Sequence, residues 1–125
     1  MKKTLAILAL GLTAIAGHAA TPLWMRDVQI SPDGTEIAFC YKGDIYKVPA
    51  KGGTATQLTT QESYECTPIW SPDGKQIAFT VRGEVFVTSA DYATTKQITH
   101  TAAEEDGLSF APDNRTLAYA SERNG

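Results

Sequence analysis

The chain has few of the residues from which metal and catalytic sites are usually built. Among 125 residues there are two cysteines and two histidines, and His100 is the only histidine after residue 20. Neither an HExxH-like spacing nor a nucleophile elbow occurs around it, so the sequence supports no metal site and no Ser/His/Asp triad. We predict that these residues hold no metal, no cofactor and no catalytic residue.

A strong charge of either sign is also missing. The formal net charge is −3, and lysine and arginine are scattered singly, which argues against a nucleic-acid partner. The short acidic run 104–106 is typical of a solvated loop. Cys40 and Cys66 could form a disulfide in an oxidising compartment, but a small buried thiol suits the strand pattern around Cys40 equally well. The composition is that of one small soluble globular unit at most.

Long hydrophobic runs are absent apart from one near the amino terminus, at residues 5–15. A membrane-spanning helix needs about 20 apolar residues, and this run is shorter. Lys2 and Lys3 precede it, and the small residues Gly17 and Ala19 follow it, as in a secretory signal peptide. We predict a signal peptide over residues 1–19, no membrane span after cleavage, and a periplasmic or envelope-associated mature chain.

Repetition is what the sequence has in abundance. SPDGTEIAF at 31–39 recurs as SPDGKQIAF at 71–79 and as APDNRTLAY at 111–119, at a spacing of forty residues. The downstream half of the unit recurs as well, so that GDIY matches GEVF and QLT matches QIT. A period near forty, rich in strand formers, is typical of a propeller blade. We predict an all-β fold, an incomplete β-propeller of about two and a half four-stranded antiparallel blades after the signal peptide.

The predicted units follow a lead-in segment at 20–26 and occupy residues 27–66 (blade 1), 67–106 (blade 2) and 107–125 (the first hairpin of blade 3). In each whole blade we expect a short inner strand, 28–30 or 68–70, with Pro68 as the first strand residue. Three further strands follow it, at 36–41, 44–48 and 55–59 in blade 1 and at 76–81, 84–88 and 95–99 in blade 2. Large and small side chains alternate along 76–81, as stacked sheets require.

The Ser-Pro-Asp-Gly segments are turns by composition. Proline presets the first turn angle, aspartate bonds the turn backbone and glycine takes a left-handed conformation, for which Asn114 is the usual substitute. Their recurrence in every unit indicates turn chemistry and not catalysis.

Two carboxylates recur just before the inner strands, at Glu65 and Glu105. The inner strand of a propeller blade lines the central channel, so both could lie at the channel mouth and select a positively charged ligand or peptide terminus. The competing interpretation, which the sequence favours, is a pair of solvated loop acids. Trp24 and Trp70 are first of all predicted packing residues.

The segment Thr21–Thr59 resembles the opening blade of the amino-terminal propeller of tricorn-type serine peptidases. The most specific pieces are Pro22-Leu23-Trp24-Met25-Arg26, Gly43-Asp44-Ile45-Tyr46, and Val48-Pro49 followed by Gly52-Gly53. Ser-Pro-Asp-Gly is less specific, because it occurs throughout WD-like propellers, including TolB and prolyl-oligopeptidase-type enzymes. Residues 80–125 are instead similar to the opening of the second tricorn propeller, which leads to the hypothesis that two blades were joined in register within SPDGKQIAF, by gene deletion or by assembly error.

The resemblance implies secreted or envelope-associated peptide processing, in which a non-catalytic propeller guides or gates peptides toward a separate region with a serine nucleophile. No catalytic residue can be carried over, because none of that region is present in these residues. The alternative is a TolB-like binding or scaffold module with a protein partner in the envelope. Two and a half blades leave sheet faces and edges open, so we also expect a fragment, a marginal monomer or self-association.

Overall fold

The computed structural model describes residues 24–60, 65–91 and 93–123, and it excludes the side chains of Glu65 and Cys66. The predicted signal peptide at 1–19 lies outside the described residues, as does the first part of the lead-in segment. Within the described ranges all regular structure is β-strand, and no helix there is long and apolar enough to cross a membrane.

Ten strands in these described ranges form three antiparallel sheets. The first sheet has the order β1-β2-β3-β4, the second has the order β5-β6-β7-β8, and the third pairs β9 with β10. The strands are β1 (Met25–Ile30), β2 (Glu36–Tyr41), β3 (Asp44–Pro49), β4 (Thr56–Gln57), β5 (Glu65–Trp70), β6 (Gln76–Val81), β7 (Glu84–Ser89), β8 (Thr95–Gln97), β9 (Glu105–Phe110) and β10 (Leu117–Ser121). The predicted all-β architecture of four-stranded antiparallel blades is confirmed, and these residues do not close a ring.

The tight turns between the first and second strands form because their own side chains complete the backbone hydrogen bonds. In the first turn, Gly34 donates its N–H to the carbonyl of Ser31 at 2.9 Å, and the carboxylate of Asp33 accepts from the Thr35 backbone N–H at 3.0 Å and the Ser31 hydroxyl at 2.7 Å. These bonds lower the pKa of Asp33 to about 2. Bonds from Thr116 lower the pKa of Asp113 to about 2 in the same way.

The inner strands are longer than the sequence indicated. Each sheet contains a β-bulge near the start of its first strand, at Asp27, Thr67 and Gly107, whose φ angles of 52°, 54° and 64° are left-handed. The prediction that Pro68 begins a strand is wrong, because Pro68 lies inside β5 directly after the bulge. A bulge removes the ladder hydrogen bond that proline cannot donate, which explains why it is tolerated there.

The core lies between the first two sheets. Ala38, Cys40 and Ile45 on one face of the first sheet pack against Ile77 and Phe79 on the facing side of the second. Along the second strands, the small residues Ala38 and Cys40 of β2 thus face the large residues Ile77 and Phe79 of β6. On the other face of the first sheet, a second cluster contains Ile37, Phe39, Tyr46, Val48 and Ala55.

The repeated Gln-x-Thr segment has a structural role that the sequence did not reveal. The hydroxyl of Thr59 accepts the backbone N–H of Ile45 at 3.0 Å, and that of Thr99 accepts the N–H of Val85 at 2.8 Å. Each of these bonds satisfies a buried backbone N–H near the start of the third strand of its sheet, β3 or β7. The preceding Gln97 side chain donates to the Thr99 carbonyl at 2.8 Å and so holds the cap in place.

The predicted packing and disulfide residues have different outcomes. Trp70 is partly buried against the core, and its indole N–H donates to the Gln29 carbonyl at 3.2 Å. Trp24 is 69% exposed, so its prediction as a packing residue is wrong. Cys40 is buried between the first two sheets. The side chain of Cys66 lies outside the described residues, so the choice between a disulfide and a buried thiol at Cys40 stays open.

Candidate functional site

A wide cleft lies between the second and third sheets, beside the turn that joins β6 to β7. Its volume is about 740 Å³, within the range of roughly 300–1,000 Å³ found for small-molecule and cofactor pockets. The walls come from the inner strand β5, the end of β6 and its turn, the start of β9 and the end of β10. The lining residues are Thr67, Thr80, Arg82, Gly83, Glu104, Glu105, Asp106, Ala120, Ser121 and Glu122.

Glu105 is the most deeply placed charge of this cleft. Its side chain is only 3% exposed, although it begins a strand at the edge of the fold. One carboxylate oxygen, Oε1, accepts the hydroxyl of Thr101 at 2.7 Å and that of Ser121 at 3.4 Å. The other oxygen, Oε2, is buried and has no hydrogen-bond partner. A buried carboxylate oxygen without a donor is costly, so it marks a place where a further group would be stabilised.

The hydrogen bonds keep Glu105 ionised. The Thr101 hydroxyl, with that of Thr99 next in importance, holds the pKa of the Glu105 carboxyl below its ordinary value, and this effect outweighs burial. Both hydroxyls stabilise the charged form in preference to the neutral one. The cleft therefore contains a full negative charge at neutral pH.

Thr67 contributes a second unpartnered polar atom to the same cleft. Its hydroxyl oxygen is buried and has no hydrogen-bond partner, while its backbone N–H donates to the Asp27 carboxylate of the first sheet at 3.4 Å. The residue lies at the bulge of β5, with φ at 54°. Bulges re-aim side chains and are frequent next to functional sites, and this one places the Thr67 side chain in the cleft wall.

Gly83 allows the third sheet to approach the second. The N–H of Glu105 donates to the Gly83 carbonyl at 2.8 Å. A Cβ atom at Gly83 would lie 2.9 Å from the Cα of Glu104, closer than real contacts allow, and φ at this position is +78°. The position of Glu105 in the cleft therefore depends on a glycine in the neighbouring turn.

The charges around the cleft are mainly negative. Its described lining contains the acids Glu104, Glu105, Asp106 and Glu122 and the cation Arg82, and Arg123 also acts electrostatically on Glu105. All of them except Glu105 are exposed, and exposed charges contribute to the field of the cleft but are screened by salt. The arrangement favours a cationic group.

The two predicted site carboxylates have different outcomes. Glu105 is not a solvated loop acid, because it is a buried strand residue in a cleft wall, and Asp106 also belongs to β9. The side chain of Glu65 lies outside the described residues, and its backbone pairs with Val81 in β6. Thr67, Thr101 and Ser121 also line or support this site and were not predicted from the sequence. A usable signal was the forty-residue spacing of Asp27, Thr67 and Gly107, which marks the repeated bulge.

Metal ligation has no geometric support in the part of the chain that is described. Among those residues, no three side chains of His, Cys, Asp or Glu type lie close enough together to hold a metal ion. The cleft supplies carboxylate and hydroxyl acceptors, and the described lining contains no histidine, no cysteine and no buried lysine. Such a wall can bind and orient a ligand.

Comparison with known families gives one match over most of the chain. Residues 22–125 match the family model described as the tricorn protease N-terminal β-propeller domain. A search of curated proteins found no match.

Several solved structures superpose on this chain. The putative TolB from Agrobacterium tumefaciens superposes with a TM-score of 0.70 at 24% identity, over 82% of this chain and 40% of that one. The tricorn protease gives a TM-score of 0.69 at 16% identity, over 79% of this chain and 11% of that one. A chain of the mitotic checkpoint complex gives 0.63 at 19% identity, over 92% and 41%. The chain thus spans less than half the length of each of these structures, and at such identities the likeness establishes the fold alone.

Proposed function

This chain belongs to the family of tricorn protease N-terminal β-propeller domains, and we propose that it is the non-catalytic propeller portion of a tricorn-like secreted serine peptidase. In this role it guides or gates peptides toward a catalytic region outside these 125 residues. The observation that carries the proposal is the cleft between the second and third sheets. Polar side chains from these sheets line it beside the inner strands β5 and β9. Binding sites are commonly placed where a rigid scaffold leaves polar groups converging on a concavity.

Export is part of the proposal. The basic start, the apolar run and the small residues before Ala20 support a signal peptide at 1–19. Peptide processing in the periplasm or envelope follows from export together with the family.

The native product in the source cell tests this function. Its envelope fraction is separated by size under native conditions, and the protein is located by mass spectrometry through peptides from residues 44–51. We expect a species heavier than this chain that reacts with a fluorophosphonate, a reagent for activated serines, and that hydrolyses fluorogenic peptides. An antiserum against the chain should deplete both signals, whereas pre-immune serum should deplete neither. A product confined to the cytoplasm, or one without serine reactivity and peptide hydrolysis, would contradict the proposal.

A second candidate is a TolB-like binding or scaffold module without enzymatic activity. The similarity in fold to the putative TolB favours it, and the open sheet edges offer a surface for protein contacts or self-association. The same fractionation separates the two candidates. A scaffold module would be recovered with an envelope protein or with copies of itself. The fractions that contain it would not react with the fluorophosphonate.

A further inference from the structure

We propose that the cleft between the second and third sheets binds an alkylammonium group, with Glu105 Oε2 and Thr67 Oγ1 as its acceptors. Both atoms are buried without hydrogen-bond partners, and both residues line the same cleft. An ammonium group supplies three donors and no acceptor, so it satisfies two unpaired acceptors and neutralises a buried charge in one step. That the ammonium belongs to a peptide rests on the proposed function.

The wall of the cleft favours an ammonium over a guanidinium group. Guanidinium groups are bound best by both oxygens of a carboxylate in parallel. Glu105 offers a single oxygen, because Oε1 already accepts the hydroxyls of Thr101 and Ser121. A compact ammonium needs only one carboxylate oxygen and can turn a second donor toward a hydroxyl.

A divalent cation fits the described groups less well. Calcium takes six to eight oxygen ligands, usually from several carboxylates. Among the described residues, no cluster of three or more potential ligand side chains surrounds Glu105. The neighbouring acids Glu104, Asp106 and Glu122 are exposed at the rim, where they attract a cation over a distance but do not surround the buried oxygen.

The ligand reaches Glu105 through a local movement of the cleft wall. Oε2 is buried, so binding requires a local rearrangement that uncovers it. The acids at the rim, Glu104, Asp106 and Glu122, are exposed, and exposed side chains change rotamer within nanoseconds. The unpaired state of Oε2 before binding makes the exchange favourable.

The ammonium could come from a peptide amino terminus or from a lysine side chain. Calorimetric titration of the purified full chain distinguishes these sources with four probes. They are the alanine tripeptide amide with a free amino terminus, its acetylated form, and acetylated tripeptide amides with a central lysine or a central arginine. We expect the free amino terminus, the lysine probe or both to bind, and the acetylated alanine and arginine probes to bind more weakly.

Matched variants assign the binding to the buried pair. Glu105→Gln should raise the dissociation constant about tenfold or more, as expected for the loss of a charge-assisted hydrogen bond. Thr67→Val, which keeps the side-chain shape, should raise it by a smaller factor. Glu104→Gln removes the same formal charge from the exposed rim and is the control, for which about a twofold rise is expected from screened attraction. Circular dichroism establishes that each variant folds.

Several outcomes would overturn the proposal. For the variants, these outcomes are an equal loss of affinity in Glu104→Gln and Glu105→Gln, or binding that survives both Glu105→Gln and Thr67→Val. For the probes, they are a preference for the arginine probe, displacement of the probes by calcium, or the absence of binding. The last would mean that a buried water satisfies Glu105. Because these titrations use the chain alone, they can fail while the native product still hydrolyses peptides, and the reverse also holds.

Discussion

Replacing Gly83 by alanine tests the close approach between the second and third sheets on which the cleft depends. The new Cβ would lie 2.9 Å from the Cα of Glu104 and 3.3 Å from its Cβ, so the segment before β9 must move. Moving it breaks the 2.8 Å hydrogen bond from the Glu105 N–H to the Gly83 carbonyl. Gly34 provides the control, since its φ of +74° is similar to the +78° of Gly83 and no atom lies within 4 Å of a Cβ built there.

The expected losses follow from three contributions. A non-glycine residue in the left-handed region costs about 1 kcal/mol, and this cost applies to both variants. Both also gain the same small benefit from a less flexible unfolded chain. Gly83→Ala alone adds overpacking and a lost buried hydrogen bond, which together amount to roughly 2–3 kcal/mol. We therefore expect a loss of about 1 kcal/mol in Gly34→Ala and of about 3–4 kcal/mol in Gly83→Ala.

Urea unfolding of the full chain, followed by tryptophan fluorescence and extrapolated linearly to water, measures both losses. The ammonium titration should weaken in Gly83→Ala at temperatures where it remains folded, because Glu105 moves with its segment, and should be unchanged in Gly34→Ala. An equal loss in the free energy of unfolding in the two variants would refute the reasoning. It would mean that only the left-handed backbone conformation of alanine is costly, and that the sheets can separate at Gly83 without cost.

Two further predictions concern the hydrogen bonds of the repeat. Thr99→Val should lower the free energy of unfolding by about 1–3 kcal/mol, because the buried N–H of Val85 loses its acceptor, whereas Thr56→Val on an exposed strand position should change it little in the same urea assay. The turn bonds lower the pKa of Asp33 and Asp113 from 3.8 to about 2, so their stabilisation is complete above pH 4 and is lost as the pH falls toward 2. Replacing both by asparagine should make the urea midpoint depend less on pH between pH 4 and pH 2. If the midpoint of the double variant changes with pH as much as that of the parent chain, these two carboxylates are not the source of the effect.

Much of the fold was predictable because its signals are local. Strands β2 and β6 have the predicted bounds, since the turn before them contains a proline, an aspartate and a left-handed glycine within four residues, and Gly43 and Gly83 end the next turn. The order of the strands follows from short antiparallel connections. Left-handed Asn114, with φ at 59°, was also expected.

The inner strands were predicted less well for a physical reason. Asp27 and Thr67 interrupt the alternation of the strand with a left-handed residue, so the polar residues before the interruption do not look like strand residues. A contact between sheets supports the conformation at Thr67, whose N–H donates to the Asp27 carboxylate of the first sheet. Threonine has no intrinsic preference for that region, so the residue type at position 67 does not indicate the bulge, and only its equivalence to Gly107 in the repeat does.

The surroundings of the site carboxylates could not be predicted from the repeat either. The repeat identified Glu65 and Glu105 as equivalent, yet the residue opposite each in the ladder differs, Val81 in one case and Ser121 in the other. Valine cannot donate a hydrogen bond, and the Ser121 hydroxyl bonds to Glu105 at 3.4 Å. Equal spacing therefore predicts an equal backbone position but not an equal environment for the carboxylate.

The cleft depends on contacts between sheets, and this links its chemistry to the assembly of the propeller. Glu105 is held by its backbone bond to Gly83 of the second sheet and by its side-chain bond to Ser121 of the third, while the Thr67 hydroxyl belongs to the second sheet alone. The two unpaired acceptors come from different sheets, so their residues line one cleft only when the sheets are packed together. A ligand that bridges them must therefore stabilise the contact between the sheets.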